Sequence, residues 1–198
     1  MTDKNRTSSR TQTIALASFA GILIVLCAVF LLFEIAWKLS VFIEPDERGV
    51  VLSYSQPAEE TLEPGYHFLM PGNQVVVFDI GRQIYATKTD SGEQPDFIEV
   101  TTKDGQKIQV NISVIYAVDP EQVINLYKTW QDQYRDVLVR PMCRSITRDD
   151  LGQYTFDEIM EKRDEIGDVI SRHLGVALEE QYLIFLKFDL IDVRRASK

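Results

Sequence analysis

The sequence contains little of what metal or disulfide chemistry requires. Its 198 residues include two cysteines and two histidines. Cys27 lies inside an apolar run and Cys143 far along the chain, so the two are not expected to pair. His67 and His173 have no Cys, Asp or Glu at metal-ligand spacing with the flanks of a zinc site. These scarcities exclude a disulfide framework and predict no metal site; His173, beside an apolar helix stripe, is interpreted as a half-buried structural histidine.

Recognisable catalytic motifs are also absent. The sequence has no G-x-S-x-G elbow, H-E-x-x-H helix, Walker loop or G-x-G-x-x-G turn. It therefore predicts no cofactor and no enzyme. One alternative stays open, a membrane-tethered hydrolase with a dispersed Ser–Lys site, because such pairs meet in space rather than in sequence. Ser53 and Ser55 have no context that distinguishes them as its nucleophile.

Basic charge is scarce in the body of the chain. The net charge is −9, divided as +2 over residues 1–43 and −11 over the remainder. Nucleic-acid binding needs clustered Lys and Arg, so this class of partner is excluded. The same charge would hold the body away from anionic headgroups unless a tether keeps it there.

What the sequence does have is one long apolar run. Ile14–Phe33 contains no charged residue. Twenty residues of helix span about 30 Å, the thickness of a bilayer hydrocarbon core. The run is too long for a secretory signal and is followed by no small-residue cleavage site, while Trp37 stands where an aromatic belt is expected. We interpret it as an uncleaved signal-anchor.

The flanks of this run predict its orientation. Three basic residues precede it (Lys4, Arg6 and Arg10), and two follow within a short distance (Lys38 and Arg48). The positive-inside rule then places the amino terminus in the cytoplasm. The large carboxy-terminal part is accordingly expected on the opposite, periplasmic or extracytoplasmic, side of the membrane.

The residues after the run first predict short strands and then helices. Strands are expected at Gly49–Tyr54, Tyr66–Met70, Gln74–Ile80 and Arg82–Thr87, with residues 55–63 as a polar loop. Asp104-Gly105 predicts a hairpin between Phe97–Thr102 and Lys107–Val118, in which every second residue from Ile108 to Val118 faces a core. Helices follow at Pro120–Trp130, capped by Asp119, and at Asp132–Asp149, interrupted by Pro141 and stopped by Gly152. A Thr155–Glu158 capping box begins a helix to Gln181, and Leu183–Val193 is the last strand.

Segregated strands and helices predict an α+β fold with an N-terminal transmembrane helix. We expect a basic cytoplasmic tail at 1–12, the signal-anchor at 13–37, a β-rich subdomain at 41–95 and an α/β subdomain at 96–193. The apolar Tyr66–Met70 segment has two interpretations. It either dips into the headgroup layer or, as the sequence favours, fills the core of the β-rich subdomain.

Five segments occur in an order that resembles a known family. They are Ile43–Val51 (IEPDERGVV), Leu62–Phe68 with Met70-Pro71, the Thr102–Gly105 hairpin through Asp119-Pro120, Tyr134–Leu138 with Arg140-Pro141, and Gly152–Thr155 with Glu158-Ile159 and Arg163. Together they resemble the stomatin/prohibitin/flotillin (SPFH, band 7) family, most closely its prohibitin-like branch. The motif positions are Gly49, Pro64, Gly65, His67, Pro71, Asp104, Gly105, Asp119, Pro120, Arg140, Pro141, Tyr154, Thr155, Glu158 and Arg163.

The resemblance implies a function. Such proteins are non-catalytic membrane scaffolds that form homo- or hetero-oligomers, organise a membrane microdomain and in some branches restrain a membrane-bound AAA-type protease. The family usually continues into a long coiled-coil helix. Here that coiled coil is missing, and residues 194–198 are interpreted as the start of a truncated or very short tail. A monomeric membrane adaptor is therefore the second alternative.

Overall fold

The computed structural model describes residues 25–31, 34, 39–53, 56–87 and 96–196, and for residues 58 and 59 it describes the backbone alone. Of the predicted span Ile14–Phe33, residues 25–31 are described and are helical. Their large apolar side chains, such as Phe30, are 57–62% exposed. Among the described residues, no helix combines the length and apolar character that a membrane crossing requires.

The described residues divide into two units. The first holds the residues up to Phe42 together with Tyr66–Pro71, and the second holds Ile43–Gly65 and the chain from Gly72 onward. Strand β1 (Ser40–Ile43) pairs with β4 (Gly65–Phe68) in a two-stranded sheet.

The second unit contains a small antiparallel sheet. Its strand order is β3–β2–β5, with β2 at Glu47–Ser53, β3 at Gln56–Leu62 and β5 at Asn73–Asp79. The expectation of a polar loop at residues 55–63 is therefore wrong for most of that segment. Despite its polar composition, β3 forms because β2 offers it a backbone ladder, in which Gly49 lies opposite Leu62.

A larger antiparallel sheet forms around β8. Strand β6 (Gln83–Ala86) and strand β7 (Ile98–Thr101) occupy successive stretches of one edge of β8 (Lys107–Val118), and β9 (Leu183–Arg195) runs along the whole of the other edge. The predicted hairpin and its period of two are confirmed. All six predicted core residues of β8, from Ile108 to Val118, are at most 3% exposed.

The predicted last strand exists, but its side chains do not alternate regularly between the two faces of the sheet. A regular strand would place Ile184 and Leu186 on the same face as Phe188, yet they are 38% and 44% exposed, whereas Phe188 is 8% exposed. Two register shifts interrupt the pairing of β9 with β8. Each extra residue reverses the face of the side chains that follow, so a single period of two cannot describe the strand.

Helices cover the inner face of the large sheet and complete the core. They are α1 (Val123–Trp130), a 3₁₀ turn (Gln131–Gln133), a π-helical turn (Arg135–Val139), α2 (Arg140–Leu151), α3 (Phe156–Glu161) and α4 (Arg163–Glu179). Helix α4 packs on β9 and α2, and α2 packs on β7. The side chains of Leu126, Leu151, Ile166 and Leu174 are at most 1% exposed within it.

Two helix starts depart from the prediction. Asp119 does not cap α1. Its carboxylate accepts the N–H of Glu121, and its backbone carbonyl accepts the N–H of Gln122. Both acceptors of Asp119 therefore belong to a turn, and the helix begins after it, at Val123. The helix expected from Thr155 to Gln181 is broken at Lys162 (φ −110°, ψ 31°), which separates α3 from α4.

Pro141 interrupts the middle helix as predicted. It lies in the first turn of α2, where its missing N–H is not needed. The turn before it widens to a π-helix, in which the Arg140 N–H donates to the Arg135 carbonyl. Gly152 ends α2, also as predicted.

The capping box at α3 is confirmed in both directions. The Glu158 N–H donates to Thr155 Oγ1 (3.3 Å), and the Thr155 N–H donates to a Glu158 carboxylate oxygen (2.8 Å). The hydrogen bond from the Thr155 backbone, with that from its hydroxyl, lowers the pKa of Glu158 from its ordinary 4.5. Because the folded pKa is the lower one, this contribution is present at neutral pH and is lost as the pH falls through it.

Replacing Thr155 by Ala removes the side-chain cap, and we expect the free energy of unfolding to fall by about 1 kcal/mol. The measurement is the urea midpoint of the full chain in detergent. Thr129→Ala is the matched control, since Thr129 is exposed and its hydroxyl bonds only the Asn125 carbonyl inside α1. Equal midpoints for T155A and wild type would contradict the capping assignment.

Candidate membrane-contact surface

Four large apolar side chains lie exposed on the β1–β4 sheet and the turn that follows it. Tyr66 and Phe68 are both 79% exposed, Met70 is 76% exposed and Phe42 is 52% exposed. The rings of Phe42 and Tyr66 lie against each other with centroids 4.7 Å apart. We refer to Phe42, Tyr66, Phe68 and Met70 as the apolar patch.

The backbone explains why these side chains share a face. Strand side chains alternate, so Tyr66 and Phe68 point one way and His67, which is half-buried, the other. The Leu69 N–H donates to the Leu39 carbonyl (2.7 Å) and extends the pairing beyond β4. A backbone ladder therefore holds the strands that carry the patch, and the contact between the Phe42 and Tyr66 rings adds to it.

The favoured interpretation of Tyr66–Met70 as core is wrong. In the described part of the chain, β4 pairs with β1 alone, and a two-stranded sheet has no second layer to bury both faces. The core lies elsewhere, under β8 and the helices. Contiguous exposed aromatics are uncommon on soluble surfaces and mark contacts with a partner or a membrane.

The predicted motif positions are not brought together into one site. Gly65 (φ +135°) and Gly105 (φ +77°) make turns that other residues would strain. A Cβ on Gly49 would come within 3.0–3.1 Å of Val75, Ile43 and Leu62, so this glycine permits close packing. The Tyr154 carbonyl accepts the Lys103 N–H (2.9 Å). Each of these positions serves local structure.

The other motif positions have the same character. The Asp104 carboxylate accepts the Thr102 hydroxyl (2.6 Å) within the hairpin turn, and this bond lowers its pKa. Pro64 and Pro71 flank β4, where they bound the strand. Pro120 lies inside the turn that precedes α1.

Arg163 has a long-range role that the sequence did not indicate. Its guanidinium donates to the carbonyls of Leu190 and Ile191, the latter at 2.8 Å. These carbonyls lie at a register shift in β9, where the ladder to β8 is interrupted. Arg163 thus provides hydrogen-bond donors to backbone carbonyls of the edge strand β9, and the nearer of these carbonyls belongs to a residue 27 positions later in the sequence.

Three arginines one turn apart on α2 close the opposite edge of the sheet. Arg140 and Arg144 donate to the same Asp96 carboxylate oxygen, at 2.6 and 2.9 Å. Arg144 also donates to the Phe97 carbonyl (3.0 Å), and Arg148 donates to the Glu99 carbonyl (3.2 Å). Of the three, only Arg140 was singled out from the sequence. The spacing of four places Arg144 and Arg148 on the same face of α2 as Arg140, but it does not indicate the carbonyls that they reach.

Within the described residues, His173, Ser53 and Cys143 occupy structural positions. His173 is exposed and not half-buried as interpreted from the sequence, and its Nδ1 lies 2.8 and 2.9 Å from the two oxygens of buried Asp150, which ties α4 to α2. Ser53 lies in the β2 ladder opposite Asn73, and Ser55 lies outside the described residues. Burial raises the pKa of the Cys143 thiol to about 12, which makes it unreactive. In the described part of the chain, no three His, Cys, Asp or Glu residues are placed to hold a metal ion.

The surface also carries an open polar groove of about 650 Å³ between α2 and β7. Its lining includes Glu99, Lys107, Arg148 and Asp149. Arg148 is already engaged by the Glu99 carbonyl. The groove therefore contains both acidic and basic side chains but no nucleophile positioned for catalysis. The apolar patch remains the better candidate for a functional surface.

The fold and this surface define an α+β domain with an exposed apolar patch close in sequence to a long apolar run. A family model, the SPFH domain / Band 7 family, matches residues 41–197. The chain belongs to the SPFH/Band 7 family, whose members associate with membranes, generally oligomerise and are generally non-catalytic scaffolds. A search of curated proteins returned no match.

Replacing Arg163 by Met removes both carbonyl contacts, and we expect a loss of about 1.5–3 kcal/mol of stability, the range for hydrogen bonds to charged groups. Amide exchange in β9 near Ile191 should become faster, because the edge loses its cover. Arg172→Met, on an exposed position of α4, is the control. Unchanged exchange at the β9 register shift in R163M would contradict this role.

Proposed function

We propose that this chain is a non-catalytic membrane scaffold, anchored by Ile14–Phe33 and resting on the bilayer through the apolar patch. The observation that carries the proposal is the exposure of the patch, which begins nine residues after the apolar run. A helix anchor and an aromatic surface so near to each other favour the same bilayer as their common environment. Tyr and Phe are suited to it, because interfaces accept amphipathic and apolar rings.

The proposal extends to lateral assembly. Anchoring confines all copies to one surface and raises their effective concentration, so a modest contact between neighbours is sufficient. Family membership supports oligomers of this kind. Because the motifs resemble those of prohibitins, the proposed client is a membrane-bound AAA-type protease that the assembly holds or restrains. The proposed orientation places the amino terminus in the cytoplasm.

The anchor is tested by Leu23→Asp, a charge near the centre of the run. On insertion scales it costs about 2.5–3.5 kcal/mol. We expect the variant to leave the membrane fraction during carbonate extraction, whereas Leu23→Ala should stay in it. Full membrane retention of L23D would contradict the anchor.

Assembly is tested by amine-reactive cross-linking in native membranes followed by mass measurement. We expect a ladder of multiples of the 22.7 kDa chain. The ladder should be lost when the membranes are dissolved and diluted before cross-linking, because the tether then no longer concentrates the copies. A strictly monomeric product in intact membranes would favour the monomeric adaptor instead. Labelling by a serine-directed probe would favour the tethered hydrolase.

A further inference from the structure

The outer face of the large sheet, opposite the helices, carries exposed apolar side chains. The buried even-numbered residues of β8 face the helices, so its odd-numbered residues mark the outer face. Ile84 lies opposite Ile115, and Ile184 lies opposite Ala117, which places all four residues on that face. Ile84 is 67% exposed, Ile184 is 38% exposed and Ile115 is half-buried.

These side chains form one apolar surface across three strands. Leu186, at a register shift of β9, is 44% exposed next to the residue that lies opposite Ile115. We refer to Ile84, Ile115, Ile184 and Leu186 as the outer cluster. The solvent face of an antiparallel sheet is normally polar, and the outer cluster departs from that rule. Contiguous exposed apolar residues mark a contact with a partner.

Cations accompany the outer cluster. Lys187 lies opposite Ile115, and Arg82 is exposed two residues before Ile84. The other charged residues that strand pairing places on this face are Lys107 and Arg194 against Glu99, Asp189 and Asp192. With four basic and three acidic side chains, the face has a net charge of +1, on a body whose net charge is −11. Two of its carboxylates are also paired on the face itself, Asp189 with Lys187 and Asp192 with Arg194.

The opposite side of the same unit has the opposite charge. Helix α4 packs against the sheet, and its exposed positions carry four acidic side chains and one basic one, a net charge of −3. These residues are Asp164, Glu165, Asp168, Glu179 and Arg172. Val176, which is 57% exposed, adds an apolar contact point among them. The unit therefore presents an apolar surface with cations on its sheet side and an acidic surface on its helix side.

We propose that the outer cluster of one copy docks on the exposed face of α4 of a second copy. The inference rests on the proposed lateral assembly, since it names the two surfaces that meet. Charge selects this pairing, because two α4 faces repel each other and two outer faces gain no attraction, whereas the mixed contact joins opposite signs.

The placement of the two surfaces sets the form of the assembly. They lie on opposite sides of the unit, so the contact is heterologous and repeats from copy to copy instead of closing as a dimer. Each large sheet then has helices on both faces, its own on the inner face and the neighbour's on the outer face. The tether to one membrane lets a contact of this modest size suffice.

The arrangement is tested by cross-linking thiols of the full chain in native membranes with a short bismaleimide. All variants carry Cys27→Ala, and Cys143 stays unreactive because burial raises the pKa of its thiol to about 12. Ile84→Cys places a thiol in the outer cluster, and Val176→Cys places one on α4. Within one chain the two positions lie on opposite faces of the sheet and over its opposite edges, so a short linker joins them only between copies.

We expect I84C/V176C to give a ladder of trimers and larger products, while each single variant stays monomeric. Co-expression of the two single variants should stop at dimers, because each copy then offers one thiol. The matched control is I84C/V137C, whose second thiol replaces a side chain that is 51% exposed outside α4 and should give no ladder. Dimers of I84C alone would assign the outer cluster to a symmetric contact between two outer faces and overturn the inference.

Charge variants of the same double-cysteine chain test the pairing of opposite signs. We expect R82E/K187E and E165R/D168R each to reduce the ladder at least about fivefold, which corresponds to the loss of one significant contact. Combining the two pairs should recover the ladder, because the signs are then exchanged on both surfaces. Added salt should weaken the ladder of the parent chain by screening the attraction. A ladder that neither pair changes would contradict the role of charge.

The possible failures are distinguishable. If intact wild-type membranes give no ladder with the amine-reactive reagent, the proposed assembly itself fails. If they do but I84C/V176C gives no thiol product, the assembly stands and the two surfaces are wrong. A discrete product whose mass is not a multiple of the 22.7 kDa chain would assign the outer cluster to a different protein. The cysteine series changes only exposed apolar positions, so it decides the question even if a charge variant folds poorly.

Discussion

The rest of the fold depends on strand β8 having a partner on each of its edges. On one edge it pairs with β7 over residues 107–110 and with β6 over residues 113–116, and on the other edge it pairs with β9 over residues 108–118, so most of its backbone groups lie in ladders. Its inner side chains are then free to form an uninterrupted apolar surface, and α2 and α4 have one place to pack. Hydrogen bonds to β8 continue between β6 and β7. The Thr87 N–H donates to the Ile112 carbonyl, and the Ile112 N–H donates to Thr87 Oγ1. The Thr87 hydroxyl also donates to Oδ1 of buried Asn111. A change that shifts β8 by one residue would turn its whole inner row toward solvent.

A central strand of this kind leaves the outer strands as the weak points of the sheet. Arginines cover them on both sides. Arg148 reaches a carbonyl of β7, Arg144 reaches the Phe97 carbonyl just before β7, and Arg163 reaches carbonyls of β9. Guanidinium groups suit this task because they offer several donors in a fixed plane and keep their charge at any physiological pH. Asp96, just before β7, further stabilises this edge by forming ion pairs with both Arg140 and Arg144. Unpaired edges are templates for unwanted strand pairing, so these contacts protect the sheet from it.

The sequence predicted what is local and missed what is long-range. The Asp104-Gly105 turn, the Thr155–Glu158 box and Pro141 act through neighbours within a few residues, and all three are where the patterns indicated. The family, SPFH/Band 7, was recognised from the order of such segments and is confirmed by the match over residues 41–197. By contrast, Arg148 meets its β7 carbonyl across 49 residues, and no periodicity encodes such a pair. The error at Tyr66–Met70 has the same origin, because composition separates apolar from polar residues but does not say whether another layer exists to cover them.

In the described part of the chain no second layer covers the β1–β4 sheet, and a bilayer would resolve the physical problem that this exposure creates. A two-stranded sheet is only marginally stable in water, and exposed aromatic side chains such as Tyr66 and Phe68 add the cost of apolar hydration. Burying each such side chain contributes about 1.5–3 kcal/mol, so removing the patch from water changes a marginal element into a stable one. The headgroup layer supplies that burial while leaving the tyrosine hydroxyl hydrated.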